Sequence, residues 1–377
     1  MRVGFDEQAF LAQRRGGVTR YFVRLVEELR ADPGLGADPV LGWSMAPNEH
    51  VVEAGLAGPV PLDRGRAEFD PVASGTAYLA NLPARLRARR TDLLHYTFYH
   101  PRFLLRRSAM PTVTTVHDMI PELYPELFAR DPHLHKAAYV RCSDLVLCVS
   151  EATRQDLIRI HGDPGVPVVV THLGVDAAFR PGLDRLPSMP PRYVLFVGRR
   201  GGYKDFEVLV EALAQARPAD AWLVAVGGGP LSERERELLQ KAGLGERWVQ
   251  VSPSEGELPH WYSCADVFAF PSRYEGFGLP TLEAMASGCP TVLARSSSLP
   301  EVGGEACDYF APGDPADLAE VLVRLWADQE LRAARAVAGV ARAAEFTWRR
   351  TAEATAHAYR LVTGTDGGSG GCNGTRQ

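Results

Sequence analysis

The stretch ADVFAFPSRYEGFGLPTLEAMASGCPTVLARSSSLPEVGG, residues 265–304, constrains the fold more than any other part of this chain. Its run VFAF is short and apolar, bounded by Pro271 and Ser272, as a buried strand would be. The loop SRYEGFG follows. Pro280 then stands where a first helical turn tolerates a residue without an amide proton. Thr281 to Ala286 is predicted as a short helix, closed by Gly288 and stopped by Pro290. Thr291 to Ala294 is predicted as the next strand. Strand, glycine-containing loop, helix and strand is the local plan of a ligand-binding α/β unit, and this places the chain in the α/β class.

The same loop carries chemistry. Glu275 lies just after the strand, and Glu283 lies eight residues on, inside the helix. Gly276 and Gly278 let the backbone approach a ligand and leave amides uncovered. A helix N-terminus beside such a loop favours an anion, above all a phosphate. Two carboxylates there would repel it. They fit better as acceptors for sugar or ribose hydroxyls, with positive charge supplied from elsewhere. The structural alternative is a loop acid at 275 and a solvated helix acid at 283.

At 377 residues the chain exceeds one ordinary core, and two domains are expected. Hydrophobic residues make up 46% and charged residues 23%, as in soluble globular proteins. The net charge of −5 gives no electrostatic case for nucleic-acid binding. Lysine occurs only at 136, 204 and 241, which singles out Lys204 in a chain that otherwise uses arginine. The cysteines at 142, 148, 264, 289, 307 and 372 form no CxxC pair and show no metal spacing. They read as reduced core fillers of a cytosolic protein. The N-terminus lacks the apolar run of a signal peptide, and no stretch approaches eighteen apolar residues. No transmembrane helix is therefore expected, while peripheral membrane contact stays open.

Residues 1–177 are expected to form one α/β domain and 193–345 a second, joined by the proline-rich segment 178–192. A helix over 346–362 and a glycine-rich, disordered tail over 363–377 complete the division. In the first domain Arg2 to Phe5 is a predicted strand. Gly16 and Gly17 precede a helix with Phe22, Leu25, Val26 and Leu29 on one face. The two glycines either cradle phosphate or form a plain tight turn, since GxGxxG is absent. LGWSM is predicted as a strand and NLPARLRARR as a short helix. The basic run Arg85 to Arg90 is expected on a solvated helix face; its sharper reading is contact with an acidic acceptor or anionic lipid. The strand Thr112 to Val116 runs into His117 and Asp118. His117 there either donates to a sugar hydroxyl or phosphate or satisfies a loop carbonyl. Ser150 is a predicted cap for the helix Glu151 to Ile160.

The second domain opens with the strand Tyr193 to Val197 and the loop GRRGGYKD. Arg199 and Lys204 flank two glycines at a strand–helix junction, a geometry that sets two cations around a diphosphate. The structural alternative is a solvent-facing basic loop. Arg200 is either a substitute cation or solvent-facing.

With these residues in view, the chain resembles glycosyltransferase family 4. The E-x7-E signature stands as Glu275-GFGLPTL-Glu283 and continues through AMASGCPTV and SSSLPEVGG, and the likeness extends to about residue 362. The resemblance implies the GT-B fold, two Rossmann-like domains facing each other across a cleft. It implies donor-sugar hydroxyls on Glu275, ribose on Glu283, diphosphate on Arg199 and Lys204, and donor sugar beside His117. Gly16 and Gly17 would lie near the phosphates, and Gly276, Phe277, Gly278 and Leu279 would complete the donor site. Tyr203 beside Lys204 departs from the commoner form of that loop, which leaves the partner arginine less fixed than the lysine. The C-terminal helix would cross back to the first domain.

The implied reaction is retaining transfer from a nucleotide sugar to a glycan, lipid-linked or small-molecule acceptor, giving an α-glycosidic bond. GDP-mannose is the first expectation for the donor, with UDP- and dTDP-sugars close behind. The nucleotide sugar is a co-substrate; no other cofactor is expected. Metal-independent transfer is expected, because no D-x-D motif lies where the diphosphate would need it. The expected location is the cytoplasm or the inner face of the membrane. The competing functions are a GT-B nucleotide-sugar epimerase or hydrolase, and a non-catalytic nucleotide-sugar-binding protein.

Overall fold

The computed structural model describes residues 1–60, 71–104, 110–129, 131–218 and 220–364. Two six-stranded sheets dominate it, every pair in them parallel. The first runs in the spatial order Asp38–Leu41, Arg2–Phe5, Leu93–Tyr96, Thr112–Val116, Leu145–Cys148, Val168–Val170. The second runs Trp248–Val251, Trp222–Val226, Tyr193–Val197, Val267–Phe270, Thr291–Ala294, Asp308–Phe310. Strands buried on both faces read as continuous apolar runs, and LVLC, YVLFV and VFAF all do.

Parallel neighbours need a crossover, and helices supply it on both faces. In each sheet the strand order reverses once, between Arg2–Phe5 and Leu93–Tyr96 in the first and between Tyr193–Val197 and Val267–Phe270 in the second. Loops leaving neighbouring strand ends diverge at such a point and open a crevice for ligand.

Several sequence expectations shift. The helix after Glu275 starts at Leu279, two residues early, because Gly278 at φ +92° serves as its N-cap in a conformation suited to glycine. LGWSM is not one strand: Leu41 ends Asp38–Leu41, and Met45–Ala46 forms a separate short strand against Gly58–Pro59. The helix Pro71–Ala80 was not expected from the sequence; within it only Val72, Tyr78 and Leu79 are large among small residues, too few to mark a buried helical face. Ser150 accepts from the Thr153 amide at 3.0 Å and caps Glu151–His161. The last helix spans Trp348–Thr363, with Thr347 as its cap. The expected tail, from residue 365 on, lies outside the described residues, as does Cys372.

That helix returns to the first sheet's domain. The Tyr359 hydroxyl meets His95 Nδ1 at 2.7 Å in the core, and Arg360 Nη1 donates to the Leu35 carbonyl at 3.2 Å. Among the described residues no helix is long and apolar enough to cross a membrane.

Candidate functional site

The two loops that leave the reversal point of the second sheet are the ones carrying Arg199, Lys204 and Glu275. Lys204 Nζ donates to Glu275 Oε1 at 2.5 Å and lies 4.9 Å from the Phe270 ring centre. The loop acid and the loop cation thus meet at one place, about 71 positions apart in sequence. Asp205 takes φ +49° and pairs with Arg273, which also donates its amide to the Tyr203 carbonyl at 2.7 Å. These contacts hold the Lys204 loop against the Glu275 loop.

The serines at 296–298 fix Glu275 from below. Its amide donates to Ser297 Oγ at 2.8 Å and its carbonyl accepts from Ser298 Oγ at 2.9 Å. Ser297 adopts φ +45°, a strained choice for a side chain with a Cβ. Phe277 turns inward, its ring against His172 and Phe346.

Gly276 joins the two domains. A Cβ there would fall 1.8 Å from the His117 carbonyl oxygen, so only glycine permits this approach. The Gly276 carbonyl accepts from Ser150 Oγ at 2.6 Å and Thr153 Oγ1 at 3.0 Å. His117, from the first sheet, is thereby brought beside the Glu275 loop. Its ring packs edge-on to Tyr21 and Phe22, and Nε2 is buried without a hydrogen-bond partner among the described residues. Burial lowers its pKa to about 4; Asp118 opposes the shift, and His133 and Lys136 reinforce it. The imidazole is therefore neutral at ordinary pH.

Glu283 is not a solvated helix acid. It is 4% exposed, and Arg20 Nη1 donates to its Oε1 at 2.6 Å while the Tyr262 hydroxyl donates to Oε2 at 3.0 Å. Burial raises its pKa, and Arg20 pulls it back. Arg20 also pairs with Asp176, which takes Arg24 Nε at 2.8 Å and Trp348 Nε1 at 2.8 Å on its other oxygen. Burial works against the Arg20 charge, but Glu283 and Asp176 hold its pKa above the ordinary value. Sequence reading missed Arg20. Its signal was position: it lies in the first turn of the helix Gly17–Ala31, just after Gly16 and Gly17.

Gly16 caps that helix in extended conformation, and a Cβ at Gly17 would meet nothing within 4 Å. The helix start faces the second domain: Thr19 Oγ1 contacts His50 Nδ1 at 3.0 Å, and His50 Nε2 meets Glu255 at 2.9 Å. Arg200 is neither a substitute cation in the site nor solvent-facing. It is 6% exposed, pairs with Glu235 at 2.7 Å and donates to the carbonyls of Gly227 and Gly229. Left-handed glycines at 227–229 turn their carbonyls toward one point, and the buried guanidinium neutralises them.

The arrangement offers neutral and charged donors and two carboxylates across a junction of two domains. Residues 15–179 match the model described as Glycosyltransferase Family 4, and residues 191–328 match Glycosyl transferases group 1. The O-antigen chain mannosyltransferase B of Escherichia coli is 30% identical over 307 residues, 76% of this chain and 80% of that protein. The D-inositol 3-phosphate glycosyltransferase of Kribbella flavida is 31% identical over 287 residues, 69% of this chain and 68% of that one. In fold, the chain is similar to sucrose-phosphate synthase from Thermosynechococcus elongatus at TM-score 0.73 and 22% identity, over 97% of this chain and 100% of that one. It is also similar to Anabaena HepE in complex with UDP and glucose, at TM-score 0.72 and 19% identity, over 96% and 100%. Two parallel Rossmann-like sheets, a junction built from their loops and these likenesses lead to one conclusion: the chain belongs to glycosyltransferase family 4 and has the GT-B fold.

Proposed function

We propose that this glycosyltransferase is a retaining hexosyltransferase that uses GDP-mannose and forms an α-glycosidic bond. The observation that carries the site assignment is the meeting of Lys204, Glu275 and the His117–Gly276 contact at the reversal point of the second sheet. Lys204 and Arg199 face the donor diphosphate, and Lys204 exchanges its Glu275 partner for phosphate oxygen. Glu275 then accepts from hydroxyls of the sugar. Neutral His117, with a buried ring nitrogen that has no partner among the described residues, is suited to a sugar hydroxyl. Glu283 accepts from the ribose. Amides of residues 276–279 and the helix start at Gly16 and Gly17 complete the donor site.

In the reaction the bond from C1 to the diphosphate oxygen breaks, and the acceptor oxygen bonds C1 on the same face. A donor phosphate oxygen takes the acceptor proton, and the nucleoside diphosphate leaves with the bonding pair. The protein stabilises charge on the departing phosphate and positions the acceptor. Arg199 and Lys204 supply the positive charge, so transfer proceeds without a metal ion; full activity in chelator is expected. A trapped covalent glycosyl-enzyme or an inverted product would refute the same-face route.

The mannosyltransferase likeness supports mannose as the sugar. The UDP bound to Anabaena HepE keeps uridine nucleotides in the comparison. A thermal-shift series with GDP, UDP, dTDP and ADP tests the base, since a ligand bound only by the folded state raises its melting temperature. GDP should give the largest shift. Product analysis with GDP-mannose and candidate acceptors follows; donor loss without a glycosylated product would favour a hydrolase or epimerase instead.

A further inference from the structure

The helices Pro71–Ala80 and Leu82–Ala88 are amphipathic the wrong way round for a surface element. Their inward face is small: Ala73, Ala77, Ala84 and Ala88 are each 2% exposed or less. Their large apolar residues point outward, with Val72 73%, Leu79 75%, Leu82 51% and Leu86 49% exposed. Val72, Leu79 and Leu86 recur every seven residues. The Ala77–Asn81 and Asn81–Arg85 backbone bonds carry the helical ladder across the joint, so this spacing forms one stripe. Four of the nine exposed large apolar side chains among the described residues fall within residues 72–86. Scattered leucines need no explanation, whereas a contiguous stripe marks a contact.

The rotation of these helices is locked. Asn81 Oδ1 accepts from the amides of Ser44 and Met45, and Ser74 Oγ donates to the Leu11 carbonyl at 2.8 Å. Arg85 lies inward: Nε donates to Glu7 at 2.7 Å, and the guanidinium sits over the Tyr78 ring. The expectation of a solvated face for the whole basic run fails at Arg85 for that reason. Turning the leucines inward would break all these bonds.

We propose that this face docks on an anionic lipid bilayer. Residues 71–91 contain four arginines and no acidic residue, although the whole chain carries a net charge of −5. With Arg85 turned inward, Arg87 and Arg90 are exposed and Arg89 half-buried at the end of the leucine stripe. Apolar side chains entering the acyl boundary with arginines at headgroup level are what an interfacial helix requires. A second copy of the chain would set these arginines against their own counterparts, and like charges oppose that pairing. Leu11, held by Ser74, follows the C-terminal end of the strand Arg2–Phe5, so the face borders the first domain's ligand edge. An acceptor anchored in the same bilayer is thereby presented to the junction. That consequence rests on the transfer reaction proposed above; the docking itself does not.

The test is co-sedimentation of the full chain with phosphatidylcholine vesicles, with and without phosphatidylglycerol. Binding is expected only where phosphatidylglycerol is present, and release is expected at about 0.5 M salt. Leu79→Glu combined with Leu82→Glu and Leu86→Glu should abolish sedimentation. Arg87→Ala with Arg90→Ala should weaken it roughly tenfold or more. The leucine and arginine effects are read only on protein with an unchanged melting temperature; a milder set, Leu79→Ser with Leu82→Ser, covers the case of poor folding. Failure of the folded wild-type chain to sediment, or leucine variants that sediment like wild type, would overturn the proposal. So would self-association lost in the leucine variants with no vesicle binding, which assigns the face to a second copy. Nucleotide shifts on the same preparations separate failure of the docking from failure of the site.

Discussion

Lys204 and Glu275 illustrate why a charge in a site is read through its partner. Each satisfies the other at 2.5 Å, and both side chains are largely shielded from solvent. Lys204→Glu sets two carboxylates together and should weaken every diphosphate donor by at least tenfold, as calorimetry with nucleotides would show. If Glu275 holds the sugar as proposed, Glu275→Ala should lower kcat by about a hundredfold while changing nucleotide affinity only a few-fold, because such a contact would tighten in the transition state. Equal losses in both quantities would remove Glu275 from the sugar. Arg20 and Glu283 form the second such pair, more deeply buried on the acid's side. Arg20→Met leaves that acid with Tyr262 alone, and should cost about 3 kcal/mol in denaturant unfolding. Adding Glu283→Gln should restore part of this loss, since a neutral amide needs no counter-charge.

At the scale of elements, the Glu275 loop was legible because its parts are local: an apolar strand, a glycine at the cap and a proline in the first helical turn. Gly276→Ala tests its non-local part. The added methyl meets the His117 carbonyl, so the loop must withdraw from the first domain, with activity falling more than a hundredfold and stability by about 1–3 kcal/mol. The last helix supplies a test by pH. His95 lies buried between Tyr359 and Thr115, and burial, with a smaller contribution from His117, lowers its pKa to about 3. The unfolded chain takes up a proton near pH 6.5 and the folded chain does not, so stability contributed by neutral His95 is lost as pH falls below 6.5. Relative to His95→Gln, the wild type should lose about 2 kcal/mol between pH 7 and pH 5, measured by urea unfolding at each pH. Parallel curves for the two proteins would mean that His95 is protonated in the fold.

The whole molecule is held in its domain arrangement by contacts that no single segment predicts. Glu301 of the second domain accepts from the Glu151 and Ala152 amides at the start of a first-domain helix, and from His172 at 2.6 Å. A carboxylate at a helix N-terminus is favoured by the amides it satisfies and by the helix dipole. Glu301→Ala should therefore loosen the domain pair, seen as a larger radius of gyration in solution scattering and a melting temperature lowered by a few degrees. Unchanged scattering would show that the Ser150–Gly276 and Arg20–Glu283 contacts suffice.

From the sequence alone came the class of fold, the order of strands and helices in the second domain, and the cluster of residues around Glu275. Those properties are written in neighbours: apolar runs, glycine and proline at turns, and a long continuous signature. The sequence did not assign Arg200 to the glycine loop at 227–229, Arg85 to Glu7 or Arg20 to Glu283. An arginine's long side chain reaches whatever charge the packed backbone sets within its span, and in each case that partner lies distant in the chain. Only the tertiary structure decides which arginine is spent on holding the scaffold.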